Sequence, residues 1–89
     1  MKTNYLPSFN KDLKALKSSP AFSTIKFLVF QEIPAYNSLD EIRNLKRIKG
    51  EDNAYRIRVG DYRICVFIEN ETVTFSRVLH RKEVYRYFP

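Results

Sequence analysis

The sequence predicts an α+β fold, an antiparallel sheet of about four to five strands with two N-terminal helices packed on one face. Three observations carry this. Apolar residues recur at helical spacing as far as Ile33, and from Leu45 the period changes to two. Two short turn signals, Gly60-Asp61 and Asn70-Glu71, then divide the extended half into hairpins.

The elements follow in order. Thr3 to Pro7 read as an edge strand. Phe9, Leu13 and Leu16 mark one face of a first helix, with Ser8 as its N-cap and Ser18-Ser19-Pro20 as its end. Pro20 suits the first turn of a second helix, in which Phe22, Ile25, Val29 and Ile33 form one stripe and which Pro34 stops. Ser38-Leu39-Asp40-Glu41 has the form of a capping box and starts a short helical turn. Strands are expected at about 45–49, 54–59, 62–69 and 72–79, and a short terminal turn follows His80.

The two hairpin loops predict a register. Val59 pairs with Tyr62, so Arg58 faces Arg63 and Arg56 faces Cys65. Glu69 pairs with Thr72, so Cys65 faces Ser76 and Arg63 faces Val78. One face then holds Tyr55, Ile57, Val59, Tyr62, Ile64, Val66, Ile68, Val73, Phe75 and Leu79, the expected core face, interrupted only by Arg77. The other holds Arg56, Arg58, Arg63, Cys65, Phe67, Thr74, Ser76, Val78 and His80.

With 89 residues, the chain has room for one domain, residues 1–89, and no second core. The longest apolar run, Phe27-Leu28-Val29-Phe30, is too short to span a bilayer, and the first ten residues hold no signal-peptide core. One cysteine and one histidine exclude an intramolecular disulfide and a zinc finger. A cytoplasmic protein without membrane association is expected. The net charge of +6 is uneven: all eight arginines lie at or after residue 43, and Arg is the residue suited to bidentate phosphate contacts. Such a surface attracts polyanions, whether nucleic acid, an acidic protein or a membrane.

Three arginines converge on the second face, two of them directly opposed. Like charges so placed destabilise a strand pair by up to roughly 1 kcal/mol. An anion is the simplest missing element; the plainer reading is a solvated face whose long side chains fan into water. His80 is expected on the same face, diagonal to Arg63 and followed by Arg81. Imidazole is the side chain suited to proton transfer near neutrality. Tyr85 folds back over the sheet, either to stack on a base and exchange a proton or to anchor the terminal turn. Cys65, beside Arg56, reads as a small packing residue. There is no Gly-rich phosphate loop, no metal-ligand spacing and no Ser-His-Asp set. Arg, His and Tyr around a phosphate suit metal-free phosphodiester cleavage by an adjacent ribose 2′-hydroxyl, with no cofactor.

Three segments carry a family resemblance: Leu45-Lys46-Arg47-Ile48-Lys49-Gly50, Tyr55-Arg56-Ile57-Arg58-Val59-Gly60-Asp61-Tyr62-Arg63-Ile64, and Val78-Leu79-His80-Arg81-Lys82-Glu83-Val84-Tyr85. Together with the opening Phe9-to-Leu16 helix, they resemble the RelE/ParE superfamily of type II toxin–antitoxin toxins. The resemblance implies a RelE-like toxin domain that cleaves messenger RNA on the ribosome. It implies catalytic roles for Arg56, Arg58, Arg63, His80, Arg81 and Tyr85. Lys46, Arg47, Lys49, Lys82 and Arg86 are the expected RNA-binding residues. Some relatives carry lysines where this chain has Arg56 and Arg58, and arginine cannot serve as a base. The arginines are therefore expected to hold phosphate and stabilise the transition state, leaving proton transfer to His80 and Tyr85, helped by Glu83 or a ribosomal group. The implied partners are a cognate antitoxin protein, the ribosome and mRNA, and operator DNA only through the toxin–antitoxin complex. No long C-terminal helix is expected. The alternatives are a ParE-like DNA gyrase inhibitor and a non-catalytic RNA- or protein-binding module on the same scaffold.

Overall fold

The computed structural model describes residues 1–89 and builds one five-stranded sheet in the order β1-β5-β4-β3-β2. The strands are β1 (Lys2–Tyr5), β2 (Leu45–Arg47), β3 (Ala54–Val59), β4 (Tyr62–Glu69) and β5 (Thr72–His80). The sheet is mixed rather than antiparallel throughout, because β1 runs parallel to β5, with Thr3 beside Val73. A parallel neighbour requires a crossover, and the helices between β1 and the rest of the sheet supply part of it. β2 ends at Arg47, two residues short of expectation. No helix is long and apolar enough to cross a membrane.

Helix α1 (Pro7–Ala15) starts at Pro7 instead of being capped by Ser8. Proline at the first helical position has its φ preset and loses nothing by lacking an N–H there. Ser8 is thereby inside the helix, and its hydroxyl donates to the carbonyl of Ser76 at 2.6 Å. Phe9 and Leu13 turn inward and are buried.

The second helix runs from α2 (Phe22–Phe27) through a π-helical turn (Leu28–Glu32) into α3 (Ile33–Ala35), so it passes Pro34 by one residue. In the wider turn the Ile33 N–H donates to Leu28, five residues back. The next donor in that register would be residue 34, which is proline, so the Val29 carbonyl has no helical partner. The Tyr5 hydroxyl donates to it at 2.6 Å, which ties β1 to the turn. The expected stripe is realised, with Ile25, Val29 and Ile33 fully buried against the sheet. A 3-10 turn (Leu39–Glu41) forms at the predicted capping box, where the Glu41 carboxylate accepts from the Ser38 N–H.

Between helices and sheet lies the main core, which includes Phe9, Ile25, Ile57, Ile64, Val66, Val73 and Phe75. The Tyr5 and Phe75 rings stack at 5.0 Å within it.

The register is as predicted from Val59↔Tyr62 through Arg56↔Cys65, and again at Glu69↔Thr72. It then departs. Val66 pairs with Phe75 but Cys65 pairs with Arg77, so Ser76 is the extra residue of a β-bulge. Beyond it, Arg63 faces Leu79 rather than Val78, and Tyr62 faces His80. A one-residue slip exchanges faces. Val78 therefore joins the main core in place of Leu79, and Arg77 no longer interrupts it.

The bulge lies where β1 has ended and α1 takes its place along the edge of β5. Asp12, four residues after Ser8 and on the same flank of α1, accepts from the Val78 N–H at 3.1 Å. It also holds Arg77 by two hydrogen bonds, of 2.6 and 3.1 Å. Two helical side chains thus occupy the edge groups that a strand would otherwise have paired.

Candidate functional site

The second face of the sheet is half closed and half open. In the closed half, Leu79 and Cys65 pack with Ala54, Val84 and Phe88 into a small second core. Val84 and Phe88 belong to the terminal turn α4 (Val84–Tyr87) or flank it, and they fasten the turn to the sheet. Burial pushes the Cys65 thiol up to about 12, outweighing the lowering by Arg77 and Arg56. Cys65 is a packing residue.

This anchoring leaves Tyr85 free. Its side chain is 76% exposed, so it is not the apolar anchor of the turn. Arg56, reaching up from β3, donates from Nη1 to the Tyr85 Oη at 2.7 Å. The guanidinium lies 5.4 Å from the centre of the Tyr85 ring. The hydrogen bond and charge of Arg56 lower the Tyr85 pKa from the usual 10.0, and Lys46 and Arg63 add to the effect.

Arg56, Arg63, Arg81, Lys82 and Tyr85 meet around Val84 in a surface cavity of about 470 Å³. Arg63 is held in place by its own hairpin, with Nη1 donating to the carbonyls of Gly60 and Tyr62 at 3.0 Å each. Gly60 has φ +58°, a conformation that favours glycine at this turn. Arg81 is positioned from the same loop: its backbone N–H donates to the Asp61 carbonyl at 2.7 Å, and its side chain lies 3.7 Å from the Asp61 carboxylate. The hairpin tip therefore orients two of the three arginines. Arg58 stands opposite Arg63 as expected, but it is exposed and belongs to the lining of a different cavity.

His80 does not reach this cavity. The bulge carries it to the helix-covered face, opposite Tyr62, whose ring meets it edge-on at 5.7 Å. Its Nδ1 accepts from the Lys82 N–H at 3.2 Å, so the imidazole braces the turn that carries Tyr85. The expected placement of His80 beside Arg63 is thus corrected. The physical reason is the extra residue at Ser76.

The flanking basic residues divide in the same way. Lys46 lies opposite Arg56 on the open face, and Lys82 lines the cavity. Arg47 lies opposite Tyr55, whose register places it on the helix side. Lys49 falls in the turn after β2 and Arg86 on the outer side of α4; both are exposed. Sequence reasoning missed Asp61, which sits in the turn signal itself, and Asp12, whose partner Arg77 was visible as the one charge on an apolar face. No group of three or more His, Cys, Asp or Glu side chains is placed to hold a metal ion.

Chemically, the arrangement offers a phenol with a lowered pKa beside a cluster of cations. Because the phenol oxygen accepts from Arg56, the bond favours the phenolate and leaves the O–H uncommitted to that partner.

Comparison with known proteins identifies the family and the fold. A family model described as the ParE toxin of type II toxin–antitoxin systems, parDE, matches residues 4–85. Toxin RelE3 of Methanocaldococcus jannaschii is 44% identical over 90 residues, covering 100% of both chains. Among solved structures, the toxin of the RelB–RelE antitoxin–toxin complex from Methanococcus jannaschii superposes with a TM-score of 0.80 at 42% identity, over 97% of this chain and 99% of that one. YafQ from E. coli strain BL21(DE3) shares the fold at 15% identity, with a TM-score of 0.73 over 94% of this chain and 97% of that one.

Proposed function

Because the chain belongs to the ParE toxin family of type II toxin–antitoxin systems and is a toxin of the RelE type, we propose that it acts as a ribosome-dependent endoribonuclease. The single observation that supports this best is the Arg56–Tyr85 pair within an arginine cluster. The pair sets a group able to transfer a proton beside cations able to hold a phosphate.

In the proposed reaction, the Tyr85 phenolate takes the proton of a ribose 2′-hydroxyl. The 2′-oxygen attacks the adjacent phosphorus, the bond to the 5′-oxygen breaks, and that oxygen leaves with a proton. The products are a 2′,3′-cyclic phosphate and a 5′-hydroxyl. Arg56, Arg63 and Arg81 offset the charge that grows on the phosphoryl oxygens, a contribution of about 2.7–4 kcal/mol per donor in comparable sites. His80 acts from behind, through the turn, and Glu83 or a ribosomal group supplies the proton for the leaving oxygen.

We further propose an antitoxin protein as the inhibitory partner, since the 42%-identical M. jannaschii toxin was solved as such a complex. The +6 charge suits an acidic chain. Operator DNA is proposed as a partner of the complex only. The second reading, gyrase inhibition, draws on the ParE description of the family model.

The test adds purified protein to an in vitro translation reaction and maps messenger 5′ ends by primer extension, with ribosome-free RNA as control. Cuts at codon positions only when ribosomes are present are expected. Intact messenger at concentrations that stop growth would overturn the nuclease reading in favour of gyrase.

A further inference from the structure

The largest cavity of the molecule, about 950 Å³, lies between α2 and the β3–β4 hairpin rather than over Tyr85. It shares Arg63 and Arg81 with the Tyr85 cavity, so the two adjoin at the hairpin tip. Arg43 and Arg58 also line it, together with the apolar side chains of Leu28 and Val59. The ion pairs of the chain are Arg77–Asp12 and Arg81–Asp61, which leaves Arg43 and Arg58 without a carboxylate. Two carboxylates line the groove as well: Asp61, which sits beside Arg81, and Glu32, at the end of the π-helical turn, which has no cationic partner.

We propose that this groove is a nucleotide subsite, which takes the ribonucleotide next to the cleaved phosphodiester with its phosphate on Arg43 and Arg58 and its base edge turned to Glu32. The proposal rests on the nuclease reading and extends it. The volume lies within the range of pockets that bind small ligands. Its polarity orients the occupant: Glu32 repels phosphate and only accepts hydrogen bonds, whereas Arg43 and Arg58 only donate them. Sugar and base carbons then lie against Leu28 and Val59. A carboxylate accepts from the exocyclic amino group of adenine, cytosine or guanine. Uracil has no such group and presents carbonyls on both sides of its N3–H. Uridine is therefore the disfavoured occupant.

The test titrates the isotope-labelled full chain, without ribosomes, with CMP and UMP and follows backbone amide shifts. Shifts at Leu28, Asn44 and Gly60 are expected, with CMP bound more tightly than UMP. Arg43→Gln should weaken both nucleotides about tenfold, as fits loss of a charge-assisted hydrogen bond. Glu32→Gln should keep binding and abolish the difference between CMP and UMP. Shifts confined to Arg56, Lys82 and Tyr85 would overturn the proposal, as would an Arg43→Gln variant that binds nucleotides like the parent. An Arg43→Gln variant that keeps nucleotide binding but loses antitoxin affinity would assign the groove to protein and also overturn it. Absence of messenger cleavage in the translation assay would remove the nuclease reading while leaving these shifts in place, so the two failures are distinguishable.

Discussion

The two faces of the sheet are built on opposite principles. The helix-covered face is closed by apolar side chains from both helices and all of the longer strands, and its contents follow from periodicity. The other face has a core of only five buried residues, and beside it cations are held near one another by the hairpin tip and by α4. Burial explains the first face. The second opposes Arg58 to Arg63 and leaves Tyr85 in solvent, an arrangement that stability alone would not select. The helical face holds the chain together, and the other face presents the candidate site.

The sharpest way to break that comparison is a pair of substitutions, one from each face. Phe75→Ala removes a fully buried ring and should cost about 3–5 kcal/mol, read from the urea unfolding midpoint. Tyr85→Phe removes one exposed hydroxyl and should leave stability within about 0.5 kcal/mol. The same change should lower ribosome-dependent cleavage by roughly 10²–10⁴-fold. A Tyr85→Phe variant that unfolded as readily as Phe75→Ala would make the open face structural and end the distinction.

A smaller effect concerns pH. Arg56 lowers the pKa of Tyr85, so it raises the phenolate fraction at any pH below that pKa. Arg56→Ala should return the phenol towards 10.0 and move the rising limb of the cleavage profile to higher pH. Ultraviolet titration of the tyrosines reads the same shift without ribosomes. An unmoved limb with reduced amplitude would confine Arg56 to phosphate binding.

His80 tests whether the helical face supports the other face through the turn. His80→Ala should reduce cleavage by about tenfold, the scale of one lost hydrogen bond. His80→Asn should recover most of it, because an Asn side chain can accept from a backbone N–H two residues on, as Nδ1 does from Lys82. Equal loss in both variants would return His80 to direct proton transfer.

How much of this was legible in the sequence differs between the faces for a physical reason. Strand positions, both hairpins, the helical stripe and the opposition of Arg58 and Arg63 follow from periodicity and turn chemistry. The bulge does not, because Val78 and Leu79 are both apolar and either fits the core. The signal was Arg77: a charge on an apolar face marks a register to shift by one, and doing so frees it to meet Asp12. The parallel pairing of β1 was hidden because four residues with no turn signal carry no direction. Tyr85 was recognised but its anchors were not, since Val84 and Phe88 look alike whether a turn is docked or free.

The smallest expected effect separates the closed and open halves within one face. Cys65 and Tyr85 are both weak acids near Arg56, yet their pKa values move in opposite directions. Cys65 is fully buried, so desolvation dominates and pushes the thiol from 9.0 up to about 12. Tyr85 is exposed, so the cation dominates and its pKa falls. For the thiol the sign follows from linkage. Below pH 9 it is neutral in both states and its contribution to stability is fully present. As pH rises from 9 towards 12 the unfolded chain ionises first and that contribution is lost. At pH 8 a disulfide reagent should therefore leave Cys65 untouched in the native protein and react fully once urea unfolds it. Rapid labelling of the native chain would mean that α4 opens readily. The closed half would then be a lid rather than a core, and Tyr85 would share its mobility.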